Sequence, residues 1–194
     1  MKLSNLHIVT DTAASLPPEA LADLPLSVLP MWVQVADRSL REGVDIDSTG
    51  LYELLQQGAL PTTSQPSPGD FLEVFQPLVD QGKSVIAVLV TAKASGTCAS
   101  ARIAADMLPP GAVTVFDSAT TAMGTGLQAI AAAEAARAGK ALPEILAQLE
   151  ELRDSNRVYL AVPTLQHLRR SGRVSNVQAL LAGFLNIKVV LTAT

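Results

Sequence analysis

Short apolar runs rich in valine, isoleucine and leucine recur along the chain, and most of them alternate little with polar residues. Continuous runs of this kind are typical of strands buried on both faces, as in parallel sheets that helices cover. The pattern predicts strands at Leu6–Thr10, Leu26–Ala36, Ser84–Thr91, Ala112–Phe116, Arg157–Val162 and Ile187–Thr192.

Helical patterns lie between these runs. Ser67, Pro68 and Asp70 have the order of an N-cap, a first-turn proline and an acidic first turn, and an apolar stripe with helical spacing follows them. Similar signals predict helices after Asp47 or Ser48, after Ser95, from Thr120 or Thr121 to Gly139, and from Pro143. Because strands alternate with helices, we predict an α/β fold with a mainly parallel sheet and helices on both faces.

The order of elements changes after about Asn156. A strand, a short helix (Leu165–Arg170), a turn, a second helix (Asn176–Leu185) and an apolar strand follow. We therefore divide the chain into an N-terminal α/β domain, residues 1–156, and the start of a second, incomplete α/β domain, residues 157–194. The strand at Ile187–Leu191 would then need an additional partner, either downstream sequence or a second copy in a homodimer.

The chain of 194 residues has a net charge of −4, with 16% charged and 48% hydrophobic residues. This composition excludes intrinsic disorder, and an acidic chain with 4% aromatic residues is poorly suited to binding nucleic acid. The sequence has no signal-peptide pattern and no apolar run of membrane-spanning length, and its single cysteine, Cys98, cannot form an internal disulfide. We therefore expect a cytoplasmic protein.

Small hydroxyl residues cluster where strands end and helices begin. A polar loop over residues 61–67 contains Thr62, Thr63 and Ser64, and Ser95-Gly96-Thr97 follows the third predicted strand. Hydroxyls and the free amides of helix N-termini can together hold an anion without a strong positive charge. Taken alone, Ser67 and Ser95 are each more simply explained as helix caps.

Other polar residues give weaker signals. Asp11, Asp117 and Ser118 end predicted strands, and Arg173 lies at a glycine turn where an anion could bind. A turn or cap role is favoured for Asp11, since Ala13 stands where a phosphatase of the Asp-x-Asp type has its second carboxylate. No metal-ligand spacing and no glycine-rich nucleotide-binding motif occurs.

Seven segments, in order along the chain, together resemble the DegV family of bacterial fatty-acid-binding proteins. They are Ile8–Asp11 with Ser15–Pro17, Leu29–Pro30 with Arg41–Ile46, Thr62–Ser67, Ser95–Thr97 with Ser100–Ala101, Asp117–Ser118, Leu165 and Leu168 with Ser171–Arg173, and Leu185–Lys188. The chain departs from the family pattern at Ala94, Cys98 and Val189, and family chains continue well beyond the length of this one.

The resemblance implies that a long-chain fatty acid is enclosed between two domains, without a cofactor or metal. Hydroxyls of Thr62, Thr63, Ser64 and Ser95 would hold its carboxylate beside the amides of Gly96 and Thr97. It also implies a carrier that presents the fatty acid to a separate fatty acid kinase and performs no chemistry itself. We therefore expect the hydroxyls of Thr63 and Ser95 to converge on one anion site.

Two other interpretations stay open. The first is a serine-dependent acyl hydrolase or transferase, in which Ser95 is the nucleophile and a histidine is the base; His167 is the candidate, because His7 lies at the start of a strand. The second is a truncated product that binds no ligand.

Overall fold

The structure is a computed structural model that describes residues 5–162, 164–173 and 189–193. Its strands are β1 (Leu6–Asp11), β2 (Leu26–Leu29), β3 (Trp32–Val35), β4 (Arg38–Arg41), β5 (Thr62–Ser64), β6 (Ser84–Leu89), β7 (Val113–Asp117), β8 (Val158–Val162) and β9 (Val189–Ala193). Its α-helices are α1 (Ser48–Gln56), α2 (Pro68–Asp80), α3 (Thr97–Asp106), α4 (Met123–Arg137), α5 (Leu142–Ser155) and α6 (Gln166–Arg170).

A four-stranded parallel sheet in the order β2-β1-β6-β7 forms the centre of the fold. Side chains alternate between its faces, so that Ile8 and Ile86 pack with α4 and α5, whereas Val9 and Ala87 pack with α2 and α3. Both faces are therefore covered by helices. The predicted α/β fold with a mainly parallel sheet is confirmed.

Local signals located the starts of α1 and α2 and the end of α4. The hydroxyl of Ser67 accepts a hydrogen bond from the amide of Asp70 at 3.1 Å, and the Asp70 carboxylate accepts one from the amide of Ser67 at 2.7 Å. This reciprocal pair is a capping box, which stabilises the first turn of α2. Asp47 caps α1 by accepting from the amide of Gly50 at 2.8 Å, and α4 ends just before Gly139, whose φ is +84°.

A second, antiparallel sheet in the order β4-β3-β5 corrects two predictions. The run Leu26–Ala36 is not one strand, because β2 ends before Pro30 and β3 enters the second sheet. Residues 61–67 are not entirely a loop either, since β5 pairs with β3, with Val33 opposite Thr63. This pairing joins distant segments, and the polar sequence of β5 carries no apolar alternation that would predict it.

Near the end of the described chain, β8 and β9 form an antiparallel pair in which Leu160 lies opposite Leu191. Val190 on β9 is 63% exposed. The predicted helix Asn176–Leu185 lies outside the described residues, so the domain boundary at residue 156 and the homodimer stay predictions. Within the described ranges, no helix has both the length and the hydropathy to cross a membrane.

Candidate functional site

The turn between β6 and α3 lies at the carboxyl end of the parallel sheet, where α/β folds bind ligands. The carbonyl of Thr91 accepts hydrogen bonds from the amides of Ala94 and Ser95, at 3.1 and 3.2 Å, and so fixes the turn. Gly96, not Ser95, is the N-cap residue of α3. The partly buried Ser95 hydroxyl instead lies 2.7 Å from the hydroxyl oxygen of Thr97, which is fully buried.

The segment Thr62–Ser64 forms β5, and its pairing with β3 brings the following residue to this turn. Ser64 pairs with Trp32, and the next residue, Gln65, packs its side chain over Gly96. A Cβ atom at Gly96 would lie 2.9 Å from Nε2 of Gln65, so a larger residue at position 96 would displace the end of the Gln65 side chain. Thr62 and Thr63 are exposed and Ser64 is half-buried. The two predicted hydroxyl clusters thus belong to neighbouring segments, and the convergence of Thr63 and Ser95 on one anion stays a prediction.

Behind the turn lie residues that the sequence did not single out. The Thr97 hydroxyl donates to Sδ of Met31 at 3.8 Å. The Met31 amide donates to the hydroxyl of Thr12 at 3.0 Å, and that hydroxyl donates to Oε2 of Glu42 at 2.5 Å. A continuous series of contacts therefore connects the Ser95 turn to the end of β1 and the end of β4.

Asp11 is fully buried at the end of β1. Its carboxylate accepts hydrogen bonds from the amides of Ala13 and Val90, each at 2.9 Å, and so ties β1 to the residue that precedes the Thr91–Ser95 turn. Burial raises the pKa of this carboxyl to about 6; the two amides oppose the shift and nearby Glu42 adds to it. The geometry favours the structural role for Asp11.

Asp117 and Ser118 also bond to nearby groups of the protein. The Asp117 carboxylate accepts from the amide of Ala119 at 2.9 Å and from that of Ala92 at 3.3 Å. The buried Ser118 hydroxyl lies 2.9 Å from the hydroxyl oxygen of Thr125, on α4. Both residues hold the loops at the end of β7 in place.

Arg173 reaches the turn from the other end of the sequence. Its Nε donates to the carbonyl of Ala94 at 3.3 Å, and the residue is exposed. A cation therefore lies next to Ser95, although the two residues are far apart in sequence. This position is consistent with the additional anion-binding role predicted for Arg173.

Cys98, one residue into α3, is fully buried and its thiol donates to the carbonyl of Val90 at 3.5 Å. Burial raises the pKa of the thiol to about 12, so it stays protonated and packs as a small apolar side chain, as predicted. Among the residues that the structure describes, no group of three His, Cys, Asp or Glu side chains could hold a metal ion.

A family model described as "uncharacterised protein, DegV family" matches residues 5–194. A DegV domain-containing protein of Deinococcus radiodurans is 38% identical over 188 residues, which are 96% of this chain and 66% of the relative. One from Caldanaerobacter subterraneus is 35% identical over 190 residues, 98% of this chain and 68% of the relative.

Solved structures of DegV family proteins are also similar to this chain. A fatty-acid-binding DegV family protein from Thermus thermophilus has a TM-score of 0.88 and 36% identity, over 97% of this chain and 68% of that one. DegV of Bacillus subtilis, a fatty-acid-binding protein, has a TM-score of 0.87 and 31% identity, over 98% and 68%. The chain therefore spans about two thirds of the length of the proteins it matches.

Proposed function

The chain belongs to the DegV family, and from this membership we propose that it binds a long-chain fatty acid. The two structural relatives at 36% and 31% identity are fatty-acid-binding proteins. Mass spectrometry of lipid extracted from the purified protein tests the proposal and identifies the acyl chain. A protein that carries no lipid and takes up none would support the alternative of a product that binds nothing.

We place the carboxylate of the fatty acid at the Ser95 turn, against the hydroxyls of Thr62, Thr63 and Ser64. The observation that carries this placement is the contact of Gln65 with Gly96, because it joins the two hydroxyl segments directly. Arg173 next to Ala94 adds a cation at the same place. Hydroxyl and amide donors with one nearby guanidinium suit a single carboxylate.

Replacing Ser95 tests this placement. We expect Ser95→Ala to weaken the binding of palmitate by about 1.5–3 kcal/mol, the usual contribution of a hydrogen bond to a charged group. Isothermal titration calorimetry measures the loss. Ser84→Ala is the matched control, because Ser84 begins the same β6 strand at the opposite end of the sheet. Equal affinities for the wild type and Ser95→Ala would place the carboxylate elsewhere.

We further propose that the protein acts as a carrier that presents the bound fatty acid to a separate fatty acid kinase. The competing proposal, an acyl hydrolase, needs a base within hydrogen-bonding distance of Ser95. Among the described residues, the hydroxyl of Ser95 bonds to Thr97, and the ring of His7 bonds to Ser27 at 2.8 Å. His167 is exposed on α6. These contacts favour the carrier.

A direct assay separates the carrier from the hydrolase. We expect no turnover of a p-nitrophenyl ester or phosphate by the protein alone, because within the described part of the chain the Ser95 hydroxyl bonds to Thr97 and not to a base. The assay is run on the wild type and on Ser95→Ala in parallel. Turnover by the wild type that is lost in the variant would establish the hydrolase and reject the carrier.

A further inference from the structure

The Thr97 hydroxyl lies between two groups that can accept its single proton. One is the oxygen of the Ser95 hydroxyl, at 2.7 Å, and the other is the sulfur of Met31, at 3.8 Å. Thr97 is fully buried and Met31 is 7% exposed, so solvent does not compete for the Thr97 proton. The direction of the Thr97 O–H bond therefore decides whether the Ser95 hydroxyl can donate its proton to a ligand.

Counting protons gives two arrangements. When Thr97 donates to Met31, Ser95 donates to Thr97, and the Ser95 proton is then unavailable to a ligand. When Thr97 donates to Ser95, the Ser95 proton points away from Thr97 and can be given to a carboxylate. Each hydroxyl has one proton, so the two arrangements exclude each other.

We propose that Met31 competes with the ligand for this pair of hydroxyl protons and so lowers the affinity for a carboxylate. The inference rests on the proposed function, in which Ser95 donates to the fatty acid. Binding then requires that Thr97 turn from the Met31 sulfur to Ser95. The observed affinity is the intrinsic affinity multiplied by the fraction of molecules in which that arrangement is already present.

The backbone of Met31 is held in place beside Thr97, and its side chain is buried there. The amide of Met31 donates to the Thr12 hydroxyl at 3.0 Å, and Thr12 in turn donates to Glu42. A thioether is a weak acceptor, so the arrangement in which Thr97 faces Met31 is reversible. Leucine has nearly the same volume as methionine and has no acceptor, so Met31→Leu removes the competition and largely keeps the packing.

The test is a double-mutant cycle read by isothermal titration calorimetry with palmitate. Met31→Leu should lower the dissociation constant about two- to fivefold, because Ser95 is then the remaining side-chain acceptor for the Thr97 proton among the residues that the structure describes. The same change should have no effect in a Thr97→Val background, where the hydroxyl is absent, and should keep its effect in a Thr97→Ser background. Met107→Leu on the surface of α3, where Met107 is 63% exposed, is the matched control and should not change the affinity.

The outcomes separate the inference from the proposed function. A wild type that does not bind palmitate rejects both. A wild type that binds, with a Met31→Leu variant that binds equally or more weakly, rejects only the role of Met31. A gain of affinity that persists with valine at position 97 would show that leucine acts through packing, which also overturns the inference.

Discussion

Gly126→Ala is expected to lower the free energy of unfolding by about 1–3 kcal/mol, the usual cost of overpacking a buried site. Gly126 lies in the first turn of α4, where the helix crosses the turn that follows β1. A Cβ atom there would lie 2.6 Å from the carbonyl oxygen of Ala14 and 2.9 Å from Cδ2 of Leu16. A backbone carbonyl cannot rotate away as a side chain can, so the turn or the helix must move.

Gly69→Ala is the matched control for this prediction. Gly69 is in the first turn of α2, and an added Cβ would meet only the Ser67 hydroxyl oxygen, at 3.5 Å, an ordinary contact. Because alanine favours helix over glycine, this variant should be as stable as the wild type or more stable by up to about 1 kcal/mol. Urea denaturation measures both variants. A Gly126→Ala protein as stable as Gly69→Ala would mean that α4 and the Ala14 turn do not approach closely.

The parallel sheet could be predicted because the pattern that indicates each strand lies within that strand's own residues. Runs such as Ser84–Leu89 are apolar throughout, which is the pattern of a strand covered on both sides. The start of α2 was equally clear, since Ser67 and Asp70 form their capping box within four consecutive residues. The second sheet was missed because its stability depends on pairing between Val33 and Thr63, which lie in different parts of the chain.

The candidate site also contains some residues that the sequence predicts and others that it does not. Ser95 and Thr63 could be named from the sequence, because hydroxyls next to a glycine at a helix start already suggest anion binding. Met31 could not, since a methionine in an apolar run has the pattern of a core residue. Its contact with Thr97 exists only because the chain leaves the parallel sheet after β2 and passes the start of α3. A contact between side chains that are this far apart in sequence cannot be predicted from the residues next to either of them.

The pH dependence of stability should reveal the buried carboxyl of Asp11. Burial raises its pKa to about 6 in the folded protein, from 3.8 for an ordinary aspartate. Between these values the folded state binds more protons than the unfolded state, so this group's contribution to stability is lost as the pH rises. The loss between about pH 4 and pH 7 should reach about 2–3 kcal/mol, since each unit of pKa difference corresponds to about 1.4 kcal/mol.

Asp11→Asn removes this titration, so the variant should gain stability relative to the wild type by about 2–3 kcal/mol as the pH rises across that range. Urea denaturation at several pH values measures the difference. Asp45→Asn is the control, because the hydrogen bond from Arg41 lowers the pKa of that exposed carboxyl to about 2 and its titration lies at more acid pH. A constant difference between Asp11→Asn and the wild type would mean that Asp11 ionises in the folded protein as easily as in the unfolded chain. The hydrogen bonds from the amides of Ala13 and Val90 would then fully offset the effect of burial on the pKa of Asp11.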